Sequence, residues 1–425
     1  MLLQFTVSNF RSFKEPTTIS FVKPDRPAAN EIYARPEDVL RTVAIYGANA
    51  SGKSNLVTAL EAFRDLVTHG VATDARIPRR PFAFVANDGR SVFELEARVA
   101  DVQLGYRIEL DETRVLAESL VEVLPSGMES VWLDRVEDAV TTGGRLKERE
   151  GARLEFIVGH LRANQPALTE LRDREVETTR SFTDFIAGLL VQKHGHGDGR
   201  LAARYAADAT LGSQAVRMLA PFDPGVASML IADTPNGPAW AGVDPTRHAE
   251  LDRMGMSVDA TRDHIVIMAV LRRGWKSGDR LQVSLRDESD GTRRLLELVV
   301  PFADLRTRGG ALVIDEIERS LHPLMTRDLV RSWCETPNEN GQLIFTTHDT
   351  RLLDVLASQP DFHPASIVFT EKGPDLATHF HTLAEYKPEQ IGQLKDALET
   401  GYLAGRFGAI PVFTRSAPKP DRAAE

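Results

Sequence analysis

Residues Gly47-Ala48-Asn49-Ala50-Ser51-Gly52-Lys53-Ser54 fill every fixed position of G-x-x-x-x-G-K-[ST]. Chemistry requires each of those residue types. The glycines let the backbone curl so that successive N–H groups face phosphate oxygens, and the start of the following helix adds a favourable dipole. A lysine at position 53 neutralises the β- and γ-phosphates of a nucleoside triphosphate, and the Ser54 hydroxyl binds Mg²⁺. Asn55, the next residue, counts among the nucleotide contacts. A plain glycine-rich turn is the alternative. It does not account for the apolar strand Thr42–Tyr46 before the loop, or for the helical spacing of Leu56, Leu60, Phe63 and Val67 after it.

A second constellation is Ala311-Leu312-Val313-Ile314-Asp315-Glu316, an apolar strand that ends in two acids. A buried strand sets Asp315 at its carboxyl end beside the phosphate loop, where it can hold Mg²⁺ through water. Glu316 can then polarise the attacking water as general base. Many strands end in acids, so this signal gains its weight from the phosphate loop. His348 follows Glu316 by 32 residues and ends the stretch Gln342–Thr347. From a neighbouring strand end it would be aimed at the γ-phosphate, although a lone histidine is more often structural.

The turn Glu288-Ser289-Asp290-Gly291-Thr292 lies 26 residues, counted from Ser289, before Asp315 and opens a helical stretch with Leu295, Leu296, Val299 and Phe302. Ser289, Gly291 and Thr292 form a small turn at a helix start, which is another anion site. One chain already has its own cradle, so this second site suggests a grip on ATP held by another copy. That predicts a homodimer closed on two ATP molecules. The plainer alternative is an ordinary capped helix, because Ser, Asp and Thr are all good caps. The run His194-Gly195-His196-Gly197-Asp198-Gly199 could bind metal, but a glycine run does not hold ligands rigidly and reads as a surface loop.

Several elements must position these groups. Residues 3–8 alternate as a strand with Thr17–Val22 as a partner, and 92–135 reads as antiparallel strands separated by turns. From about 145 to 270 the pattern is helical and polar, and we expect a mostly helical lobe projecting from the head and carrying partner or dimer contacts. Pro301 should kink or end the helix that begins near Thr292. The resulting expectation is an α/β P-loop fold. Residues 1–140 would be the first part of the head with an antiparallel β subdomain, 141–270 a mostly helical insertion, 271–413 the second part of the head, and 414–425 a disordered tail.

Composition narrows the function. The 425 residues are 42% hydrophobic and 26% charged, with a formal net charge of −10. Such a balance does not favour a dedicated nucleic-acid binder. The basic clusters Arg79-Arg80, Arg272-Arg273-Lys276 and Arg293-Arg294 read as solvated surface charge. No run approaches the roughly 18 apolar residues of a membrane helix, and the start lacks the pattern of a signal peptide. The single Cys334 excludes an internal disulfide and a cysteine-rich zinc site. A cytoplasmic protein is expected.

Taken together, these residues resemble the ABC-type ATPase heads of the RecF, SMC and OLD-like group. Asn9–Phe13 (NFRSF) looks like the group's N-terminal strand and loop. GANASGKS, ESDGT, VIDEIERSLHP and FTTHDTRLLD look like its Walker A, signature, Walker B with D-loop, and switch motifs. The separation of 262 residues between Lys53 and Asp315 suits a head split by an insertion, whereas a ring-forming AAA+ ATPase would have its acidic strand much nearer. The likeness is greatest to a bacterial subgroup called AAA family ATPases, which also resemble this chain over Tyr402–Pro411.

What the resemblance implies is ATP and Mg²⁺ as cofactors, catalysis by Glu316 and His348, and a homodimer across ATP. It also implies a nuclease-like or toxin partner, as in the AbiL and Septu defence systems. Contact with DNA or RNA stays open, and no membrane role is expected. The chain departs from the pattern in having no recognisable Q-loop glutamine; the PFAF segment at 81–84 sits near where one would lie. A RecF-like DNA-repair ATPase that clamps DNA directly is the alternative function. A transporter subunit suits the N-terminal motif and the insertion less well.

Overall fold

Alternation along the central strands decides what each side buries. In the computed structural model, described for residues 1–24, 33–83, 89–193, 201–235, 256–259, 264–273, 279–336, 339–386 and 398–409, the chain forms three sheets. Strands β1 (Leu2–Ser8), β2 (Thr17–Ser20), β3 (Thr42–Gly47), β4 (Ser91–Val99), β5 (Val102–Leu110), β6 (Val115–Val123), β7 (Glu129–Val136), β8 (Ala139–Thr142) and β9 (Leu190–Gln192) come first. They are followed by β10 (Val226–Pro235), β11 (Met256–Asp259), β12 (His264–Arg273), β13 (Arg280–Ser284), β14 (Gly310–Ile314), β15 (Gly341–Thr346), β16 (Ile367–Lys372) and β17 (Thr378–Thr382). The helices are α1 (Lys53–His69), α2 (Gly144–Val158), α3 (Ala167–Asp173), α4 (Glu177–Ala187), α5 (Leu201–Ala207), α6 (Ala209–Leu219), α7 (Asp290–Arg308), α8 (Pro323–Glu335), α9 (Arg351–Ala357) and α10 (Leu398–Leu403).

The sheet that carries the phosphate loop has the order β17-β16-β3-β15-β14-β9. All of it is parallel except the β16–β17 pair. Its central strands β3, β14 and β15 are buried on both faces, as parallel strands covered by helices must be. Val43, Ile45, Val313 and Ile344 face one core, shared with α1, α2, α3, α4 and the antiparallel sheet. Ala44, Tyr46, Leu312, Ile314, Leu343 and Phe345 face the other, shared with α5 to α9. A strand–loop–helix unit, β3–α1, thus sits at the middle of the sheet. The strand ending in Asp315 lies two places away, with β15 between them.

The antiparallel expectation for 92–135 holds: β2-β1-β4-β5-β6-β7-β8 is one antiparallel sheet, and β1 pairs β2 as anticipated. The carboxyl-terminal motif also has a clear place. Tyr402 stacks on Phe369 of β16 at 5.6 Å and meets Tyr46 of β3 at 5.8 Å, and its hydroxyl donates to the Ala409 carbonyl at 2.9 Å. Ile410 and Pro411 lie outside the described residues, as does the tail.

Helices fill much of 144–219, but the expected projecting lobe is corrected. Helices α3 and α4 pack on α1, and Leu154, Leu168, Leu171, Phe182 and Ile186 belong to the same core as Phe63. β9 then joins the central sheet beside β14. These apolar side chains recur at helical spacing, so the pattern reports a helix correctly but not what the helix lies against. From Val226 the chain turns to strand, with β10, β11, β12 and β13 in one antiparallel sheet. The glycine-histidine run 194–199 lies outside the described residues. Pro301 neither ends nor interrupts its helix: α7 continues to Arg308, with Pro301 buried among Val299, Val300 and Phe302. Packing along a whole buried face outweighs the one hydrogen bond that proline forfeits. No helix among the described residues is long and apolar enough to cross a membrane.

One buried charge pair ties the added helices to the antiparallel sheet. Glu118 on β6 accepts the N–H groups of Ala167 and Leu168 at 2.9 and 3.0 Å and the Tyr106 hydroxyl at 2.6 Å. Arg135 lies 3.5 Å away and also donates to the carbonyls of Gln165, Arg162 and Glu137. Both side chains are almost fully buried. Removing one partner strands the other in a dry interior, which costs about 3–5 kcal/mol. Glu118→Ala should therefore lower the unfolding free energy in urea by about that amount. An unchanged midpoint would show that the network does not anchor α3.

Candidate functional site

The phosphate loop is held open by contacts that only glycine permits. A Cβ on Gly52, which has φ 120°, would lie 2.1 Å from Thr378 Oγ1, and one on Gly47 would lie 2.5 Å from the Thr370 carbonyl. Thr378 Oγ1 in turn donates to the Ser51 carbonyl and approaches Ser12 Oγ, both at 2.8 Å. Ala50 sits at φ 63°, a left-handed conformation uncommon for a residue with a Cβ. Neighbouring β16, β17 and the 9–13 loop thus press the loop into its curl from outside.

Lys53 is nearly buried, and its ammonium donates to the carbonyls of Gly47 at 2.8 Å and Ala48 at 3.1 Å. Burial pulls its pKa down to about 8, while Asp315, Glu316 and Glu318 push the other way. Ser54 is exposed, and its hydroxyl donates to Asp315 Oδ1 at 3.2 Å. The two residues predicted as Mg²⁺ ligands are therefore adjacent. The Asn55 side chain is bonded locally: its amide donates to Ser12 Oγ at 2.8 Å, and its carbonyl accepts from Arg11 at 3.3 Å. It ties helix α1 to the NFRSF loop, whose Asn9 also accepts the Phe82 N–H at 3.0 Å.

The acid strand ends in a tight constellation. Asp315 Oδ1 accepts from Thr346 Oγ1 at 2.7 Å, and the same hydroxyl accepts the Glu316 N–H at 2.8 Å. Glu316 has φ 51°, a second left-handed non-glycine residue at the carboxyl edge. His348 is exposed; its backbone N–H donates to Glu318 Oε1 at 2.6 Å, and Thr347 donates to Glu318 Oε2 at 2.8 Å. The imidazole pKa is lowered by partial burial and then by the Lys53 charge, so the ring is held toward its neutral form. Phosphate loop, acids and histidine therefore meet at the carboxyl ends of β3, β14 and β15, the edge where parallel sheets bind ligands.

Three further groups belong here that the sequence alone did not single out. Thr346 positions both acids. Glu318 fastens the switch strand to the turn after Glu316. Gln192 ends β9 next to β14, and its carbonyl accepts the Asp315 N–H at 2.9 Å. The run Leu190-Val191-Gln192 is a short apolar strand ending in glutamine; only its long separation from the other motifs hid it.

The Ser289–Thr292 turn has a different placement. Ser289 caps α7, accepting the Thr292 N–H at 3.1 Å and meeting Thr292 Oγ1 at 2.9 Å. The plainer reading of these residues as a cap is thus correct as far as it goes. Among the described residues, no hydrogen bond or ion pair links this turn to the chain's own phosphate loop. The turn abuts the loop after Glu316, since a Cβ on Gly291 would lie 2.9 Å from the Ser320 carbonyl. The 19 residues of α7 span about 28 Å, and the five residues of β14 only about 17 Å. A helix joined to the start of β14 and packed back along it must overshoot the carboxyl edge.

Two basic clusters are corrected. Arg272 is not solvated surface charge. It donates to Glu288 at 2.8 Å and to Asp223 at 3.0 Å, and these carboxylates hold its pKa above the usual arginine value. Arg294 is buried and donates to Glu297 at 3.3 Å. Charge runs expose some members and spend others on positioning. Lys276 lies outside the described residues.

Among the described residues, no group of three or more His, Cys, Asp or Glu side chains is gathered to hold a metal. One hydroxyl and one carboxylate, with the remaining ligands from phosphates and water, is nevertheless the open arrangement suited to Mg²⁺. Thr346→Val keeps the shape of the side chain and removes its hydroxyl. We expect turnover of ATP to fall about 10- to 100-fold, the usual effect of losing a group that orients a metal-binding carboxylate. A rate within twofold of wild type would show that Thr346 does not position the acids.

The family model described as "AAA domain, putative AbiEii toxin, Type IV TA system" matches residues 43–354. Among solved structures, the chain is similar to the SMC head domain from Thermotoga maritima, at 16% identity over 90% of this chain and 98% of that one, with a TM-score of 0.40. It is also similar to an Smc head bound to the C-winged helix domain of ScpA, at 12% identity over 92% and 99% of the two chains, with a TM-score of 0.43. No curated protein matches its sequence. The family match runs from the strand before the phosphate loop to the helix after His348, so the chain belongs to the AAA-domain family described by that model.

Proposed function

We propose that this chain is an ATP-hydrolysing ABC-type ATPase whose two subunits close on two ATP molecules. The observation that carries this reading is the meeting of Lys53, Ser54, Asp315, Glu316 and His348 at one sheet edge while the Ser289–Thr292 turn abuts the loop after Glu316 and, among the described residues, makes no bond to its own phosphate loop. The fit of the phosphates is supported by the curl at Gly47 and Gly52, which a side chain would fill. Lys53 exchanges its loop carbonyls for the β- and γ-phosphate oxygens, and Ser54 and Asp315 would hold Mg²⁺. When bound, the metal neutralises charge on the transferring phosphoryl group. Glu316 accepts the proton of the attacking water. His348, held toward neutrality, can donate to a γ-phosphate oxygen. We assign to Gln192 the place of the missing loop glutamine, because it ends the strand beside Asp315.

A helix start that overshoots its own site is suited to phosphates held by a second copy. The biological setting we favour is the ATPase subunit of an anti-phage defence system acting with a nuclease-like or toxin partner. The negative charge balance and the structural use of Arg272 and Arg294 favour this over direct clamping of DNA, which would be weakened steeply by salt.

Two measurements test the chemistry and the sharing. Glu316→Gln should keep ATP binding and lose about 10²- to 10⁴-fold in turnover; wild-type turnover would remove Glu316 as the base. Lys53→Ala should be inactive alone, and Ser289→Arg alone should fall to the slow basal turnover of separated subunits. Mixing them should restore activity, because each mixed pair retains one site with an intact lysine and an intact opposing serine. Mixtures that associate by light scattering yet stay inactive would overturn the shared site.

A further inference from the structure

Glu316 and Arg319 are the two ends of one turn. The Arg319 N–H donates to the Glu316 carbonyl at 2.9 Å, and the Arg319 guanidinium meets the Glu316 carboxylate, also at 2.9 Å. The backbone of Glu316 is fixed by Thr346, but its carboxylate is engaged by this arginine. Both side chains are partly exposed, 53% for Arg319 and 32% for Glu316, so the pair can open without unpacking the core. The charge of the buried Arg294 and that of Arg319 oppose each other. Ser320, at φ 62°, comes next, and its carbonyl lies against Gly291 of the signature turn. One short loop thus touches the base on one side and the signature turn on the other.

We propose that Arg319 is a positioning residue that holds the Glu316 carboxylate away from the attacking water in the separated subunit and releases it when two subunits close. This rests on the paired-subunit reading above. Closure brings the partner's triphosphate against Ser289–Thr292, next to Ser320. A guanidinium placed there exchanges a carboxylate for phosphate oxygens, which its planar fork of donors can bind two at a time. An exposed ion pair is weak enough for that exchange to be reversible. Each subunit's base is then freed by the nucleotide its own signature turn has taken, so the two sites act together.

The test is ATP turnover of the full chain with Mg²⁺, from high dilution to concentrations at which light scattering reports paired subunits. Arg319→Ala should raise kcat at dilution by about two- to fivefold, the range in which an exposed ion pair shifts a population. KM and the affinity for a fluorescent ATP analogue should not move. Arg319→Lys, which keeps the cation, should return kcat toward wild type, and Glu316→Gln combined with Arg319→Ala should abolish the gain. A kcat at dilution that is unchanged or lowered in Arg319→Ala overturns the proposal, and Arg319→Gln carries the same test should the alanine variant not fold. The pairing itself is read separately: wild-type turnover per subunit independent of concentration, with no association in ATP, would sink the paired reading and leave the gain in Arg319→Ala to decide the restraint alone.

Discussion

Everything at the carboxyl edge depends on one carboxylate. Asp315 Oδ1 accepts from Thr346 of the neighbouring strand and from Ser54 at the start of α1, so three separate segments converge on a single oxygen. Such a bond network is worth most where water is excluded, and Thr346, buried completely, supplies that condition. The strands behind it hold the convergence rigid: β3, β15 and β14 are paired in parallel register, with Val43, Ile344 and Val313 side by side. A site built on strand ends inherits the precision of the sheet, and that precision lets a single hydroxyl orient both acids.

A second layer of positioning comes from segments far away in sequence. Ser12 and Thr378 brace the phosphate loop, Gln192 flanks Asp315 through the backbone, and Glu318 joins the switch strand to the loop after Glu316. The signature turn hangs from the β10–β13 sheet through Arg272 and Glu288. Because Glu288 is buried, losing its cation would leave a charge unpaired in a dry setting. The turn is therefore coupled to whatever moves that sheet, and the sheet is fed by the chain segment that separates the two halves of the head.

Strain occurs where the chemistry is expected, although Ala100, Glu137 and Glu175 show the same backbone conformation elsewhere. Ala50, Glu316 and Ser320 all take left-handed backbone conformations without being glycine. Each such residue costs on the order of 1–3 kcal/mol and persists only where its surroundings over-determine it. At Glu316 the surroundings are the Thr346 hydroxyl on the N–H and the Arg319 N–H on the carbonyl. These two bonds fix the backbone of Glu316, while its carboxylate is held by the Arg319 guanidinium.

The sequence by itself determined the local chemistry. The eight-residue phosphate loop, the apolar strand ending in Asp315 and Glu316, and the strand ending at His348 were legible because each is a short run whose residue types have a narrow physical use. Period-two alternation likewise marked the antiparallel strands of 92–135. Tertiary structure alone decided which surfaces those runs meet. Helical periodicity in 144–187 was correct, yet only packing against α1 showed that these helices belong to the head and do not project from it. Pro301 signals a helix end locally, but a buried face running from Thr292 to Leu305 kept α7 intact. Glu318 and Thr346 lie inside the quoted motif runs and Gln192 outside them, yet none of the three is marked there for its role. Their roles arise from distances across the fold, and a hydrogen bond between residues 30 or 120 positions apart leaves no periodic trace in the chain.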